Sequence, residues 1–219
     1  ATKEGLATEK VIRHYVERAK GGVGLIFVEG TFFTPEGRGY VQQLGLSSSE
    51  HVKRLKGLTG AVHGLNKGVK IFIQIQHAGG RAYQKVTGLQ PVAPSGFPLY
   101  PGADTPRPLT RDEIRRLVEA HIEAAARAKE AGFDGVDIHC AHGYLVPEFF
   151  SPLFNRREDE YGGDLLGRTR FLTEIIKGIK ERVGRDFPLT IKISGDEYAE
   201  GGLGLEEMKE IALVAQEAG

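Results

Sequence analysis

The feature that most limits how this chain can fold is the regular alternation of short apolar runs with long amphipathic ones. Residues 7–20 carry Val11, Ile12, Tyr15, Val16 and Ala19 at helical spacing, Gly21 and Gly22 stop the run, and Gly24 to Val28 reads as a buried strand. The same grammar recurs. Residues 50–66 place Val52, Leu55, Leu58, Val62 and Leu65 on one helical face and lead into a strand over 69–76. A helix from Thr110, which has capping-box spacing to Glu113, runs to about Ala131 and leads into a strand over 135–139. A helix over 165–183 precedes a strand over 188–193, and a last helix covers 205–218. Residues 78–108 form a long loop rich in Pro and Gly. Four strands interleaved with five helices predict parallel βα units, because a parallel connection needs a crossover long enough to hold a helix. No linker divides residues 1–219, so a single domain is expected.

Two α/β architectures fit that alternation. A doubly wound sheet normally carries a glycine-rich GxGxxG turn after its first strand, and EGTFFTPEGRGY after Val28 has none. A barrel explains more, because inward positions alternate along each strand. Phe72, Gln74 and Gln76 share one parity, Asp137 and His139 a second, and Thr190, Lys192 and Ser194 a third, so polar groups on consecutive strands converge inside.

The 29 basic and 29 acidic side chains cancel, so no net field draws the chain to nucleic acid or an anionic membrane, and a small neutral ligand is the expected partner. No apolar run approaches the roughly 18 residues of a membrane-spanning helix. The first twenty residues, with Lys3, Glu4, Glu9 and Lys10, lack the apolar centre of a signal peptide, and the expected compartment is the cytoplasm. Cys140 is the only cysteine, which excludes an intrachain disulfide.

The chemistry concentrates in AGFDGVDIHCAHGYLVPEFFSPLFNRREDEYGG, residues 131–163. His139, His142 and Tyr144, three groups able to exchange protons, follow a strand directly. In sheets built of βα units, ligands sit at the carboxyl ends of strands. Two readings stay open on these residues alone. The three can form a proton-transfer and oxyanion-binding set, or His139, Cys140 and His142 with Asp137 can ligate a metal in a barrel hydrolase. Alternation along the strand opposes the second, since His139 and Cys140 point to opposite faces. His51, His63 and His121 read as surface or packing residues, and His77 as support for the long loop. Lys192 in a sheet interior needs a partner, either a ligand or a carboxylate such as Asp137, and a structural hydrogen bond with Gln74 is the plainer alternative. SPLFNRREDEYGG reads as a solvated, charged loop ending in a turn at Gly162 and Gly163.

These motifs, with IFIQIQHAGGRA before them and FPLTIKISGDEY after, resemble the Old Yellow Enzyme family of flavin-dependent ene-reductases, and EGTFFTPEGRGY and PVAPS fit the same pattern. The wording IKISGDEYAEGGL is most similar to the branch containing 2-enoate and 2,4-dienoyl-CoA reductases. The resemblance implies a (β/α)8 TIM barrel that binds FMN, is reduced by NADH or NADPH, and passes hydride to an activated alkene. It assigns Gly30 to a close backbone approach to the flavin, Gln74 to hydrogen bonds with the pyrimidine edge, and Lys192 to the charge that develops near N1 and O2. It assigns His139 and His142 to the substrate's carbonyl or nitro oxygen, and Tyr144 to protonation of the α-carbon. A phenol, with a reference pKa of about 10, remains a proton donor at neutral pH.

The chain departs from the pattern in three places. Gly79 and Gly80 both precede Arg81 where one glycine is usual, Leu166 and Gly167 replace a Glu and an Asn before Arg168 and weaken the expected helix start, and Pro147 and Glu148 are unusual. A complete barrel takes about 250 residues and eight strands, so this chain is expected to supply strands two to five of a partial barrel. The matching expectation is a fragment, inactive alone or completed by a second chain or by a further copy of itself.

Overall fold

The computed structural model describes all 219 residues. Helix α1 (Glu9–Lys20) starts where the Thr8 hydroxyl accepts the Val11 N–H, and strand β1 (Leu25–Phe32) follows. Helix α2 (Ser49–His63), capped by Ser48, leads to β2 (Lys70–Gln76). A short helix α3 (Gln84–Thr87) and a two-stranded pair, β3 (Val92–Ala93) with β4 (Arg107–Pro108), break up the long loop. Helix α4 (Arg111–Glu130) opens with the full Thr110–Glu113 capping box, and Arg107 clamps Glu113 from outside at 2.7 Å. Its hydrogen bond lowers the Glu113 carboxyl to a pKa of about 2. The chain continues as β5 (Gly135–Cys140), α5 (Leu145–Phe150), α6 (Leu165–Val183), β6 (Leu189–Ile193) and α7 (Leu205–Ala218). No helix is long and apolar enough to cross a membrane.

Strands β1, β2, β5 and β6 form one parallel sheet in that order. One face is aliphatic. Ile26, Val28, Ile71, Ile73, Ile75, Val136 and Ile138 lie in a single 45-residue cluster with the inner faces of the helices. Burying each such side chain contributes about 1.5–3 kcal/mol, which commits this face to the helical layer. The opposite face carries Phe27, Phe72, Gln74, Asp137, His139 and Lys192 in register. The sheet is an open arc of a (β/α)8 barrel, as the alternation predicts, with β1 and β6 as its edges.

Four local expectations change. Strand β1 extends to Phe32, beyond the apolar run, by way of a bulge: Val28 pairs with Ile73 and Thr31 with Ile75, so Glu29 and Gly30 together oppose Gln74. The stretch expected to be loop after β5 contains α5, all six of whose residues are buried. The charged segment over 151–163 keeps Arg156 and Glu158 exposed, as a solvated loop would, but is pinned from within. Asn155 donates to the Phe149 and Tyr161 carbonyls at 2.8 Å each, and Arg157, with 10% of its side chain exposed, forks onto Asp159 and donates to the Pro94 and Leu109 carbonyls. Charge alone gave no hint of partners from the distant 94–109 segment. Helix α6 also starts without weakness. Asp164 accepts the Gly167 N–H at 2.8 Å, and a Cβ on Gly167 would fall 2.0 Å from the Gly162 carbonyl oxygen, so glycine is the residue that lets the Gly162–Gly163 turn close on the helix.

Candidate active site

Register builds the floor of the site. Gln74 pairs with Asp137 and Asp137 with Thr190 across three strands. Gln74 Nε2 donates to Asp137 Oδ2 and Thr190 Oγ1 donates to Asp137 Oδ1, both at 2.7 Å. These bonds correct the expected Lys192–Asp137 pair. Lys192 sits one row higher, opposite His139, and its side chain is exposed on the open concave face, so no buried counter-charge is needed. Gly30 lies in the β1 bulge beside this row. A Cβ there would fall 2.0 Å from Gln76 Oε1, so a side chain would displace the Gln76 amide, while Gln74 Oε1 lies at ordinary contact distance, 3.5 Å. The Gly30 carbonyl is fixed by Gln43 Nε2 at 3.0 Å.

At the carboxyl end of β5 three rings converge. His139 meets Tyr144 edge to face at 4.9 Å between centroids, and His142 at 5.0 Å. His139 Nδ1 accepts the Ala141 N–H at 3.3 Å, which places the proton of the neutral ring on Nε2. Burial, followed by the nearby His142 and Lys192, lowers its pKa to about 4, so the ring is a neutral donor at physiological pH. His142 takes the left-handed conformation at φ 63° and Gly143 follows at 65°. That turn lifts the His142 ring into the open, where burial, then Lys192 and Arg81, lower its pKa. The His142 N–H donates to Ser194 Oγ at 3.4 Å, tying the turn to β6. Tyr144 occupies the N-cap position of α5 without capping it, which leaves its phenol to the site.

Cys140 points the other way, into the core, with 1% of its surface exposed, and burial raises its thiol pKa. No three His, Cys, Asp or Glu side chains converge as metal ligands, so the hydrolase reading finds no site. Four of the other histidines make structural bonds. His51 bonds the Glu4 carbonyl, His63 pairs with Asp134 at 2.8 Å, His121 donates to the Leu117 carbonyl, and His77 accepts the Gly79 N–H.

Two residues near the rings were not foreseen. Arg81 Nε donates to the Gly143 carbonyl at 3.0 Å, and the extra glycine before it is absorbed by a single 3-10 turn over Gly79–Arg81. Tyr40, from the β1–α2 connection, has a phenol held protonated. Its pKa is pushed up to about 12 by burial first, then by Glu29 and Tyr144.

The whole chain, residues 1–219, matches the model of the NADH:flavin oxidoreductase / NADH oxidase family. The chain belongs to that family. It is 46% identical over 221 residues to an NADH oxidase of Thermoanaerobacter brockii, covering 100% of this chain and 34% of the relative. It is 44% identical over 205 residues to an NADPH dehydrogenase of Listeria monocytogenes, covering 94% of this chain and 59% of the relative. Among solved structures it superimposes on 2-naphthoyl-CoA reductase in complex with 2-naphthoyl-CoA, with a TM-score of 0.93, 34% identity, and coverage of 98% of this chain and 34% of that one. An old yellow enzyme homologue from Zymomonas mobilis gives a TM-score of 0.87 at 34% identity, over 100% of this chain and 62% of that one. The chain thus spans between about a third and three fifths of the length of the proteins it matches.

Proposed function

We propose that this chain carries the substrate-binding and proton-donating face of an FMN-dependent ene-reductase that uses NADH or NADPH to reduce an activated alkene such as an enone or enoate. The observation that carries the reading is the convergence of His139, His142 and Tyr144 directly above the Gln74–Asp137–Thr190 row. Flavin suits that floor. Gln74 gives one amide hydrogen to Asp137 and keeps the other, together with Oε1, for a ring edge that both donates and accepts. Gly30 offers backbone without a side chain, and Lys192 is a cation free to meet developing negative charge. FMN, when bound, supplies the relay of hydride from the nicotinamide to the alkene.

The protein's own residues do the rest. His139, neutral and protonated on Nε2, donates to the substrate's carbonyl or nitro oxygen, and His142 supplies a second donor. Together they stabilise the enolate-like charge, about 3 to 4 kcal/mol per donor in comparable oxyanion sites. Tyr144 gives its phenolic proton to the α-carbon. A family built on NAD(P)H and a lone buried thiol both suit the cytoplasm.

A second reading concerns completeness. Leu25 and Phe27, 39% and 47% exposed, line the open β1 edge on the concave face, so further strands, from the same polypeptide, a second copy or a partner, complete the enclosure. A visible absorption spectrum after adding FMN and desalting tests the whole. A retained flavin spectrum is the expected result where the enclosure forms, and loss of alkene reduction in a protein that retains flavin would reject the assignment.

A further inference from the structure

Glu148 is fully buried one helical turn beyond Tyr144, and the reaction just described makes no use of it. Its Oε1 accepts the Gly80 N–H at 2.8 Å, and Oε2 is buried without a partner. An ionised carboxylate there would leave a desolvated charge with one donor, a costly arrangement. Burial accordingly raises the Glu148 pKa well above the usual carboxylate range, against smaller opposing effects of the Gly80 N–H and Arg81. The neighbouring turn is shaped around this side chain. A Cβ on Gly79, whose φ is +61°, would fall 2.6 Å from Glu148 Oε2 and 2.8 Å from Leu145 Cα. His77 holds the same turn from the other side by accepting the Gly79 N–H at 3.0 Å.

The contacts close into a ring. The Glu148 backbone N–H donates to the Tyr144 carbonyl at 3.0 Å, the Glu148 carboxyl holds Gly80, and the next residue, Arg81, donates Nε to the Gly143 carbonyl at 3.0 Å. Leu145 N–H adds a parallel tie to the His77 carbonyl at 3.1 Å. We propose that Glu148 is a positioning residue whose carboxyl fixes the Gly79–Arg81 turn and, through Arg81, holds the His142–Tyr144 turn in register with His139. The inference rests on the ene-reductase reading for what that turn does. The turn needs such a hold. The left-handed conformation of His142 strains a residue that carries a Cβ, and the bond from its N–H to Ser194 is long, at 3.4 Å.

Three variants test it. Glu148→Met keeps length and apolar packing but removes the acceptor, Glu148→Gln keeps a neutral acceptor, and Arg81→Lys keeps the charge but loses the Nε–H that reaches Gly143. The first readout is the titration of the His142 ring by NMR in the chain without added cofactor. The groups facing that ring are His139 on β5, Lys192 on β6 and Arg81 from the turn. In Glu148→Met the guanidinium, and in Arg81→Lys the ammonium that no longer bonds Gly143, moves off the turn, and the lowered His142 pKa rises. In Glu148→Gln it stays where it is in the parent chain. The second readout, in flavin-loaded protein, is a fall of roughly 10- to 100-fold in kcat for alkene reduction with KM little changed in the first and third variants, with Glu148→Gln restoring the rate. A folded Glu148→Met with unchanged His142 titration would overturn the proposal, as would damage by Glu148→Gln equal to that by Glu148→Met. Should Glu148→Met fail to fold, Arg81→Lys decides, and parent-like behaviour in it counts against the ring. Failure to load flavin in a protein whose enclosure is complete would sink the ene-reductase reading while leaving the NMR result to judge the ring.

Discussion

At the scale of single residues, the site was legible where strand alternation fixes direction and opaque where a distant segment completes it. His139, His142 and Tyr144 could be placed together because they follow one strand within six residues, and the structure puts their rings within 5.0 Å of the central His139. Gln74 and Asp137 were readable as inward, but their pairing required the β2–β5 register, which also removed Asp137 from Lys192. Arg81 reaches Gly143 from a turn 62 residues away in sequence, beyond any spacing argument. The proton assignment separates the three rings by step. Tyr144→Phe retains the ring packing against His139 but has no proton to give, so alkene reduction should slow by about 10²–10⁴-fold while oxidation of the nicotinamide is spared. Stopped-flow traces of the two half-reactions check this, and equal loss in both would remove Tyr144 as the donor. His139→Ala with His142→Ala should instead weaken the binding of phenols and enones, and unchanged affinity would dissolve the paired-donor assignment.

At the scale of elements, the start of α4 was legible because its cap is local chemistry, the Thr110–Glu113 box. Thr8, Ser48 and Asp164 also accept a backbone N–H at the start of their helices, caps that only the structure brought out. Helix α5 escaped notice because its six residues, LVPEFF, are buried all round and show no polar face. What the elements bury has a pH consequence. His121 on α4 packs between Phe33 and Phe171, at 4.3 and 5.6 Å, and burial lowers its pKa to about 4, while His77 after β2 falls to about 3. Both are held neutral in the fold, whereas the unfolded chain protonates near pH 6.5. Between about pH 6.5 and those lowered values the unfolded state therefore binds more protons, and stability, complete above the upper limit, drains away as pH falls. His121→Phe keeps an aromatic ring in the slot without a titrating nitrogen. Thermal melts from pH 8 to pH 5 should lose fewer degrees in this variant than in the parent chain, and parallel losses would mean that other groups govern the acid sensitivity.

At the scale of the whole molecule, the parallel α/β class followed from crossover length alone, but closure did not. A strand reads the same whether its neighbour is present or absent, so edges are invisible in sequence unless strands are counted, and here the count stops at four. The consequence lies on the concave face. Phe27 packs edge to face on Phe72 at 5.5 Å yet remains 47% exposed, beside Leu25 at 39%, at the start of an edge strand whose far end is covered by the Leu44–Leu46 segment bonded to Phe32. An apolar patch combined with a free strand edge favours pairing with another surface of the same kind. The isolated chain should therefore associate with itself as concentration rises, running above its 23.9 kDa mass in light scattering after gel filtration. Phe27→Lys places a charge on that edge without touching the aliphatic face that packs on the helices, so it should return the chain to monomer while leaving its circular dichroism unchanged. A parent chain that is monomeric at every concentration would show that the edge is protected in solution, and completion by a different strand-bearing segment would then be the arrangement the open face serves.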